Sequence, residues 1–510
     1  MVPGTLGFDL AAVAARRGDA TAIRSGDREV SYAQLDGLAE QVAGRLAGEG
    51  LGRGDRVLLL TRSAIDTFAL LAGAARLGAV TVPANWRLSE AELSGVVADA
   101  RPALAFADAS YAASLHAADG SMPVVVLDAS GLDAWLDGPR DEVTVDPEGR
   151  PVLQIYTSGT SGQPKGVLLT DINLSQKVVR MGEEWAFSSE SVSLLATPLF
   201  HIGGLSWGLI SLAAGSTLVV PPVVSTERLR HDIENAGATH AFLVPKMLTD
   251  LVDAMASAGA STTSLEVVVC GAAPVSVALQ QKASRTLGCR LVQVYGLTET
   301  TGAVTQLEAS AALAAPDPEA VLRSAGRPYP WVDIEIRDPE TSSPVATGSA
   351  GEIWVRSPQN CSGYWGRRDD TEALLVDGWL RTGDGGLIDA DGRLHITDRL
   401  KDMIVSGGEN IYSVEVERAL QQHPSVRDVA IIGRPDDAWG EVVVAVVELE
   451  DGRQITLEQA AEHVASRVGR YKRPRDLVVV DALPRNTNGK ILKNQIRRQL
   501  ASGDSGKARP

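Results

Sequence analysis

One stretch of the chain combines glycines, hydroxyls and a lysine in an order suited to phosphate binding. It runs Tyr156-Thr157-Ser158-Gly159-Thr160-Ser161-Gly162-Gln163-Pro164-Lys165-Gly166. A short apolar run, Val152 to Tyr156, precedes it and is typical of a strand. Glycines let the backbone approach an anion closely, free amides point at its oxygens, and hydroxyls add donors. The stretch lacks the Gly-Lys-Ser/Thr ending of a Walker A loop, and an ordinary polar surface loop is the alternative.

Length and composition set the broad class of protein. The chain has 510 residues, enough for about two to four domains. Its net charge of -16 argues against bulk nucleic-acid binding. The three cysteines are scattered without Cys-x-x-Cys spacing, which argues against a disulfide framework or a zinc site and fits a reducing compartment. We find no signal-peptide pattern and no apolar run near the roughly 18 residues of a membrane span, and we expect a soluble, cytoplasmic protein.

The elements that position the glycine stretch alternate between strand and helix patterns. Clear helices are expected at 31–50 and 64–77, and Ser89 with Glu92 forms a capping box. This alternation predicts an α/β fold with doubly wound sheets in a large N-terminal domain. Short β-like runs between 325 and 400 predict a β subdomain. Beyond Lys401 the pattern predicts a small, separate α+β domain.

Three predicted strand ends carry unusual residues. They are the glycine stretch, Gly271-Ala272-Ala273-Pro274, and Gly296-Leu297-Thr298-Glu299-Thr300-Thr301-Gly302. Ligands of open α/β sheets bind beyond the carboxyl ends of the strands, so we expect these three segments to lie together. The Gly271 segment, taken alone, also fits a plain turn.

Five stretches, in order along the chain, resemble the motifs of the adenylate-forming (ANL) superfamily, which includes acyl-CoA synthetases, peptide-synthetase adenylation domains and luciferases. They are residues 157–166, 295–302, 378–384, 398–412 and 484–490. The resemblance implies that a carboxylate attacks the α-phosphate of ATP and expels magnesium pyrophosphate, after which a thiol attacks the acyl-adenylate. This chemistry crowds negative charges together, so the site needs cations and hydrogen-bond donors.

The resemblance also implies roles for residues around ATP. The phosphate loop that holds the β- and γ-phosphates would comprise Thr157, Ser158, Gly159, Thr160, Ser161, Gly162 and Lys165. The adenine side would comprise Tyr295, Gly296, Gly271, Ala272 and Ala273. Thr298 would donate to the α-phosphate or the substrate carboxylate. Glu299 would hold Mg²⁺, which suits a hard oxygen ligand.

Later residues complete the implied site. Asp384 would bind ribose, because a carboxylate can accept from both hydroxyls, and Arg399 would contact ribose or phosphate. Lys490 would reach from the small domain and bridge the carboxylate and the α-phosphate; outside the resemblance it reads as a solvated lysine. Lys401 falls at the family's hinge, about which the small domain rotates, and Gly408 lies in the loop that lines the thiol tunnel. We therefore expect an adenylation domain at 1–400 and a mobile C-terminal lid domain at 401–510.

The sequence signal for the residues that would bind the carboxylic acid is less specific. His201 matches an aromatic position beside the acyl pocket of the family, and Gly203 and Gly204 follow it as expected substrate-binding residues. A lone histidine after an apolar run also fits a satisfied core residue. The run from Gly203 to Ile210 is small and apolar and carries no charged residue, which predicts a hydrophobic acid, either fatty or aryl.

The leading interpretation is an ATP-dependent, AMP-forming acyl-CoA synthetase that uses ATP, Mg²⁺ and coenzyme A. The alternative is an adenylating enzyme that passes its acyl group to a carrier-protein pantetheine or an amine. Fatty-acyl-AMP ligases of that kind usually carry an insertion near the hinge, and the run from Asp384 to Lys401 leaves no room for one. A non-catalytic nucleotide-binding protein is a third candidate, and the motifs leave a luciferase-like oxygenase open. The sequence does not identify the acid, the pathway or the oligomeric state, for which a homodimer is one option.

Overall fold

The computed structural model describes residues 6, 8–128, 130–143, 149–157, 164–258, 264–399, 404–406, 409–411, 413–436, 439–468, 470–486 and 489–501. Within these ranges, we find no helix with both the length and the apolar character needed to cross a membrane. The chain divides into two compact units. The first comprises residues 1–333 and 355–380, and the second comprises residues 334–354 and 381–510.

The helices of the described residues are, in chain order, α1 (Leu10–Arg17), α2 (Tyr32–Gly48), α3 (Ala64–Leu77), α4 (Glu90–Ala100), α5 (Ala112–Ala118), α6 (Asp133–Leu136), α7 (Asp171–Glu184), α8 (Ile202–Ala213), α9 (Thr226–Ala236), α10 (Pro245–Ala258), α11 (Val277–Leu287), α12 (Ala309–Leu313), α13 (Pro318–Leu322), α14 (Arg368–Leu374), α15 (Ser413–Leu420), α16 (Leu457–Ala465) and α17 (Lys493–Ala501). A short 3-10 helix covers Arg470–Lys472.

The strands of the same residues are β1 (Thr21–Ser25), β2 (Arg28–Ser31), β3 (Arg56–Leu60), β4 (Val80–Pro83), β5 (Leu104–Asp108), β6 (Val124–Leu127), β7 (Pro151–Thr157), β8 (Lys165–Thr170), β9 (Val192–Leu195), β10 (Thr217–Val220), β11 (His240–Leu243), β12 (Val267–Cys270), β13 (Arg290–Leu297), β14 (Gly302–Glu308), β15 (Arg327–Pro328), β16 (Asp333–Arg337), β17 (Gly351–Arg356), β18 (Gly363–Tyr364), β19 (Leu375–Val376), β20 (Trp379–Ile388), β21 (Leu394–Arg399), β22 (Ile404–Ser406), β23 (Glu409–Ile411), β24 (Val426–Asp436), β25 (Gly440–Leu449) and β26 (Asp476–Val479).

Two large sheets form the framework of the first unit. One has nine strands in the order β15-β14-β13-β12-β11-β9-β10-β1-β2, and the other has seven in the order β18-β8-β7-β4-β3-β5-β6. Their central pairs are parallel, for example β3 with β4 and β12 with β13. Parallel neighbours need crossover connections, which the intervening helices supply. The strand orders agree with the doubly wound α/β fold predicted from the alternating pattern.

Both glycine-containing motifs of the first unit connect antiparallel strands, which the sequence pattern did not predict. β7 pairs with β8, so that Thr157 lies opposite Lys165. β13 pairs with β14, so that Leu297 lies opposite Gly302. β7 and β8 are therefore antiparallel neighbours on either side of the glycine stretch, and residues 298–301 form the turn between β13 and β14.

Local signals explain why many predicted elements have the expected bounds. Helix α3 covers 64–77 as predicted, and Gly78 ends it in the left-handed region at φ 84°. The capping box predicted at Ser89 is present, and Thr456 forms another one at the start of α16. Helix α2 is shorter than the predicted 31–50, because Ser31 is its N-cap and the helix ends at Gly48.

The second unit contains two smaller sheets. Strands β16, β17 and β20 are neighbours in the first, and β21 pairs with β20. The second sheet has the order β23-β22-β25-β24, with β26 parallel to β25. Its two faces bury separate apolar clusters, one with α15 and α16 and the other with Ile496 of α17. The predicted domain boundary at 400/401, with its hinge at Lys401, falls outside the described residues and stays a prediction.

Candidate active site

The lysine of the glycine stretch is held at the start of β8. Its Nζ lies 2.7 Å from Oδ1 of Asp370 and 5.0 Å from the ring centroid of Tyr364. The Lys165 side chain is only 14% exposed. A partly buried ammonium with one carboxylate partner and an aromatic face is well suited to exchange that partner for a phosphate.

The glutamate predicted to hold Mg²⁺ contacts the hydroxyl of the same tyrosine. The Tyr364 hydroxyl donates to Oε1 of Glu299 at 2.9 Å. Burial, together with the negative charge of Glu299, raises the pKa of Tyr364 well above its ordinary value, so the hydroxyl keeps its proton. Tyr364 thus connects Lys165, on the seven-stranded sheet, with Glu299, on the nine-stranded sheet.

The segment before β18 fixes the backbone around Glu299. The Cys361 amide donates to the Glu299 carbonyl at 2.7 Å. The fully buried Gln359 donates through Nε2 to the carbonyls of Thr300 and Ala303, at 2.7 and 2.9 Å. These bonds satisfy carbonyls within the β13–β14 turn and at the start of β14, so they anchor the backbone around Glu299.

Two glycines of the predicted adenine side are required by close packing. A Cβ on Gly296 would lie 1.9 Å from the Gly302 carbonyl oxygen, where β13 and β14 shift register. A Cβ on Gly271 would lie 2.7 Å from Cγ2 of Val294. Ala272 has φ 70°, a left-handed conformation that is uncommon for a residue with a side chain. The Gly271 segment is therefore a strained, tightly packed strand end.

The histidine predicted beside the acyl pocket precedes α8. Burial, with a smaller contribution from the positive charge of Arg87, lowers the pKa of His201 to about 4, so the imidazole is neutral near pH 7. Its ring packs on Phe200 with centroids 4.5 Å apart. Within the described residues, its buried Nε2 has no hydrogen-bond partner. An unsatisfied buried nitrogen is costly, and the role of His201 beside the acyl pocket stays a prediction.

The glycines after His201 allow close packing at the start of α8. A Cβ on Gly203 would lie 2.9 Å from the ring of Phe242, and one on Gly204 would lie 2.4 Å from the Pro198 carbonyl oxygen. Trp207 continues this surface, with ring centroids 5.9 Å from Phe242. The predicted apolar wall is therefore aromatic as well as small.

Two predicted site residues of the second unit are paired in register. Asp384 on β20 lies opposite Arg399 on β21. Asp384 is 5% exposed, and its amide donates to Oγ1 of Thr382 at 3.1 Å. The buried carboxylate of Glu352 accepts from Nη2 of Arg381 at 2.8 Å and from the Gly383 amide at 3.2 Å, which fixes the backbone that precedes Asp384.

Lys490 is exposed in the second unit. Its amide donates to Oδ1 of Asn486, and its carbonyl accepts from the Asn486 amide, both at 2.8 Å. Gly489 adopts φ 79°. The two bonds to Asn486 anchor the backbone from which the long lysine side chain extends.

Some predicted residues lie outside the described ranges. They are Ser158, Gly159, Thr160, Ser161, Gly162, Lys401 and Gly408. The structure brings together Lys165, Glu299 and their neighbours in the first unit, and it pairs Asp384 with Arg399 in the second.

Comparison with known proteins identifies the family. The chain matches the AMP-binding enzyme family over residues 10–365 and the AMP-binding enzyme C-terminal domain over residues 415–490. The chain belongs to the AMP-binding enzyme family. It is 36% identical to an indoleacetate–CoA ligase of Aromatoleum aromaticum over 94% of this chain and 95% of that one. It is 33% identical to the fatty acid–[acyl-carrier-protein] ligase ScoC of Streptomyces coeruleorubidus, over 94% and 93%.

A solved structure of this family gives the same result. It is the o-succinylbenzoate coenzyme A synthetase MenE of Bacillus subtilis, in complex with ATP and magnesium ion. The TM-score is 0.85 at 28% identity, over 96% of this chain and 98% of that one. These findings confirm the resemblance to the adenylate-forming superfamily, the α/β fold class with a small C-terminal domain, and an AMP-forming ligase that uses ATP. The roles of individual site residues stay predictions.

Sequence reasoning missed several residues around this AMP-binding site. Tyr364 and Gln359 lie about 60 residues after the motif they contact, and their spacing gives no signal. Lys177 is different: it lies on α7 in the same stripe as Leu174, Val178 and Met181. A lysine at helical spacing within an apolar stripe is a signal of a buried cation.

Proposed function

We propose that this AMP-binding enzyme activates a carboxylic acid with an apolar body, forming an acyl-adenylate and pyrophosphate from ATP, and then transfers the acyl group to coenzyme A. The observation that carries the proposal is that Lys165 and Glu299 both contact Tyr364. This arrangement offers a cation for the leaving pyrophosphate and an oxygen ligand for its metal ion. The neutral His201 and the aromatic wall offer an uncharged surface for the acid.

The residues present fit a magnesium ion that is bound together with ATP. Among the described residues, no group of three or more His, Cys, Asp or Glu side chains could hold a metal ion alone. Mg²⁺ is usually held by one or two carboxylates together with substrate phosphates and water. Glu299 would supply the carboxylate, and the bound ion would neutralise phosphate charge.

The chain's own residues then have distinct tasks in the proposed reaction. Lys165 leaves Asp370 and binds the departing pyrophosphate. Thr298 donates to the α-phosphate or the acid's carboxylate, and Lys490 supplies positive charge as the pentavalent phosphorus forms. His201, being neutral, positions the carboxylate without neutralising it. Asp384 and Arg399 bind the ribose.

Coenzyme A is the acceptor that the chain favours. The tight hairpin from β20 to β21, turning between Ile388 and Leu394, leaves no place for the insertion expected of fatty-acyl-AMP ligases. The indoleacetate–CoA ligase is also the more similar of the two relatives described above. A carrier-protein pantetheine is the second candidate, because the carrier-protein ligase covers nearly the whole chain at 33% identity.

A panel of fatty and aryl acids with ATP, Mg²⁺ and either coenzyme A or a pantetheinylated carrier protein tests the proposal. We expect pyrophosphate release and an acyl-CoA mass for at least one acid. Acyl-AMP with thioester formed only on the carrier protein would support the second candidate. No pyrophosphate with any acid would refute an adenylating function.

The role of Lys490 is tested separately from that of the acid. A Lys490→Ala variant should lose pyrophosphate release and still convert supplied acyl-AMP to acyl-CoA, because its charge acts only in the first step. Equal loss of both half-reactions would contradict this assignment. The exposed Lys246→Ala, with a lysine side chain 74% exposed, is the matched control.

We further propose a cytoplasmic location. Three free cysteines, Cys270, Cys289 and Cys361, support it, since free thiols fit a reducing compartment. Cell fractionation checks the location. Light scattering of the purified enzyme determines whether it forms a homodimer, which the sequence leaves as one option.

A further inference from the structure

Lys177 of helix α7 is a buried cation that the proposed mechanism does not use. It is 1% exposed. Within the part of the chain that the structure describes, its ammonium has neither a hydrogen-bond nor an ion-pair partner. Its nearest ring contact is Trp185, whose centroid lies 5.9 Å from Nζ. Burial alone lowers the pKa of Lys177 to about 7. Burying an unpaired charged group costs free energy, and a ligand that binds the amine would offset this cost.

The tip of this lysine lies against the β13–β14 turn. A Cβ on Gly302 would be 2.9 Å from Nζ of Lys177 and 3.2 Å from its Cε. Gly302 has φ 98°, and its missing side chain leaves the room that the amine occupies. Gly302 closes the turn that carries Thr298 and Glu299, so the amine borders the same motif as the reacting groups.

The amine also borders the acid side of the site. The Cβ position of Gly302 is 3.9 Å from Cγ1 of Ile202, the residue after His201. The aromatic wall extends from there: Trp185 and Trp207 have ring centroids 5.6 Å apart. Lys177 therefore places an amine next to apolar and aromatic side chains.

We propose that Lys177 is a specificity-determining residue that binds an oxygen substituent on the substrate, remote from the reacting carboxylate, and that the preferred acids are aryl acids bearing a hydroxyl, carbonyl or second carboxylate. The proposal rests on the function proposed above and names its substrate class. The aromatic rings favour an aryl body through offset or edge contacts. The amine then binds the one polar group that such a body carries.

In this proposal the amine of Lys177 gains its hydrogen-bond partner when the substrate binds. A site that hydrogen-bonds a substrate oxygen rejects the analogue without it, because the buried amine is left unpaired. A single bond to a charged or ionisable group corresponds to a preference of about 10- to 100-fold.

Matched aryl acids test the inference: 3-phenylpropionate, 3-(4-hydroxyphenyl)propionate and 3-(4-carboxyphenyl)propionate, each at saturating ATP, Mg²⁺ and coenzyme A. For the wild-type enzyme we expect kcat/KM for at least one oxygenated acid to exceed that for 3-phenylpropionate by about 10-fold or more. In Lys177→Met, which keeps the length and removes the nitrogen, this preference should disappear, mainly through KM. Activity with 3-phenylpropionate should stay the same or rise.

The controls separate this inference from the function on which it rests. Lys246→Met, at an exposed site, should keep the wild-type preference. A wild-type enzyme that releases pyrophosphate with all three acids and shows no preference would overturn the inference and leave the function standing, and it does so even if Lys177→Met fails to fold. Equal loss with all three acids in a folded Lys177→Met would also overturn it, because it would indicate a structural role.

Discussion

Replacing Lys177 with methionine should stabilise the folded enzyme most at low pH. Burial lowers the pKa of this lysine from its ordinary value of 10.5 to about 7. The folded state therefore loses the proton near pH 7, whereas the unfolded chain keeps it up to about pH 10.5. The full difference corresponds to about 5 kcal/mol, at about 1.4 kcal/mol for each pH unit between the two pKa values.

The sign of the pH dependence follows from proton binding. Below about pH 7 both states are protonated, and the wild type carries the whole cost of burying the charge. Between about pH 7 and 10.5 the unfolded state binds the extra proton, so the wild-type free energy of unfolding rises with pH. Methionine has no proton to bind. The stability advantage of Lys177→Met should therefore shrink by about 2–3 kcal/mol from about pH 6.5 to about pH 9.

Urea unfolding of the wild type and Lys177→Met at these two pH values measures the effect. Tryptophan fluorescence reports on this region, since Trp185 and Trp207 are both buried near the lysine. Comparing two proteins at each pH cancels the titration of all other groups. A difference that does not change with pH would refute the reasoning, because it would mean that the lysine stays protonated in the fold. The exposed Lys246→Met should show no pH-dependent difference.

Four further substitutions probe the AMP-binding site. Lys165→Met should lower pyrophosphate release by about 100-fold and spare thioester formation from supplied acyl-AMP. Asp370→Asn removes only the carboxylate partner of the lysine and should not lower pyrophosphate release. Equal loss of both steps in Lys165→Met would contradict the phosphate role. Tyr364→Phe removes the 2.9 Å bond to Glu299 and should raise the Mg²⁺ concentration for half-maximal rate by about 5- to 10-fold; an unchanged requirement would argue against Glu299 as the ligand. Gly296→Ala should destabilise the fold by about 3 kcal/mol or more, seen as a lower thermal midpoint, because its Cβ would lie 1.9 Å from a carbonyl oxygen.

Much of the fold could be predicted because its signals are local. Helix α3 runs from an N-cap serine to a left-handed Gly78, and both features are visible in the sequence. The capping pairs at Ser89 and Thr456 are equally local. Strand β4, Val80–Pro83, coincides with a short apolar run between turn residues, which is also a local signal.

The antiparallel pairing of β7 with β8, and of β13 with β14, could not be predicted from such signals. Whether Lys165 continues away from Thr157 or lies opposite it depends on hydrogen bonds formed across the glycine stretch. The same is true of Gly302 opposite Leu297. A turn sequence permits a hairpin, but the pairing partner is selected by the sheet.

The candidate site likewise combines residues that the sequence identifies with contacts that no local signal predicts. The residue types of Lys165 and Glu299 follow from the chemistry of ATP, and the sequence motifs identify them. Their connection through Tyr364 depends on β18 pairing with β8, in which Tyr364 lies opposite Val167. That contact joins segments almost 200 residues apart in sequence, so no local pattern contains it.

The two sides of the site in the first unit differ in their charge, and this difference explains what the motifs reveal. On the phosphate side, Lys165 keeps a carboxylate partner and can exchange it for a phosphate. On the acid side, burial lowers the pKa of His201 to about 4 and that of Lys177 to about 7, so both bases lose charge there. Binding the phosphates of ATP requires charged residues in a particular order, which makes its motifs recognisable. The acid-binding surface that we propose is nearly neutral and includes one buried amine, and its signal in the sequence is a lysine within an apolar stripe.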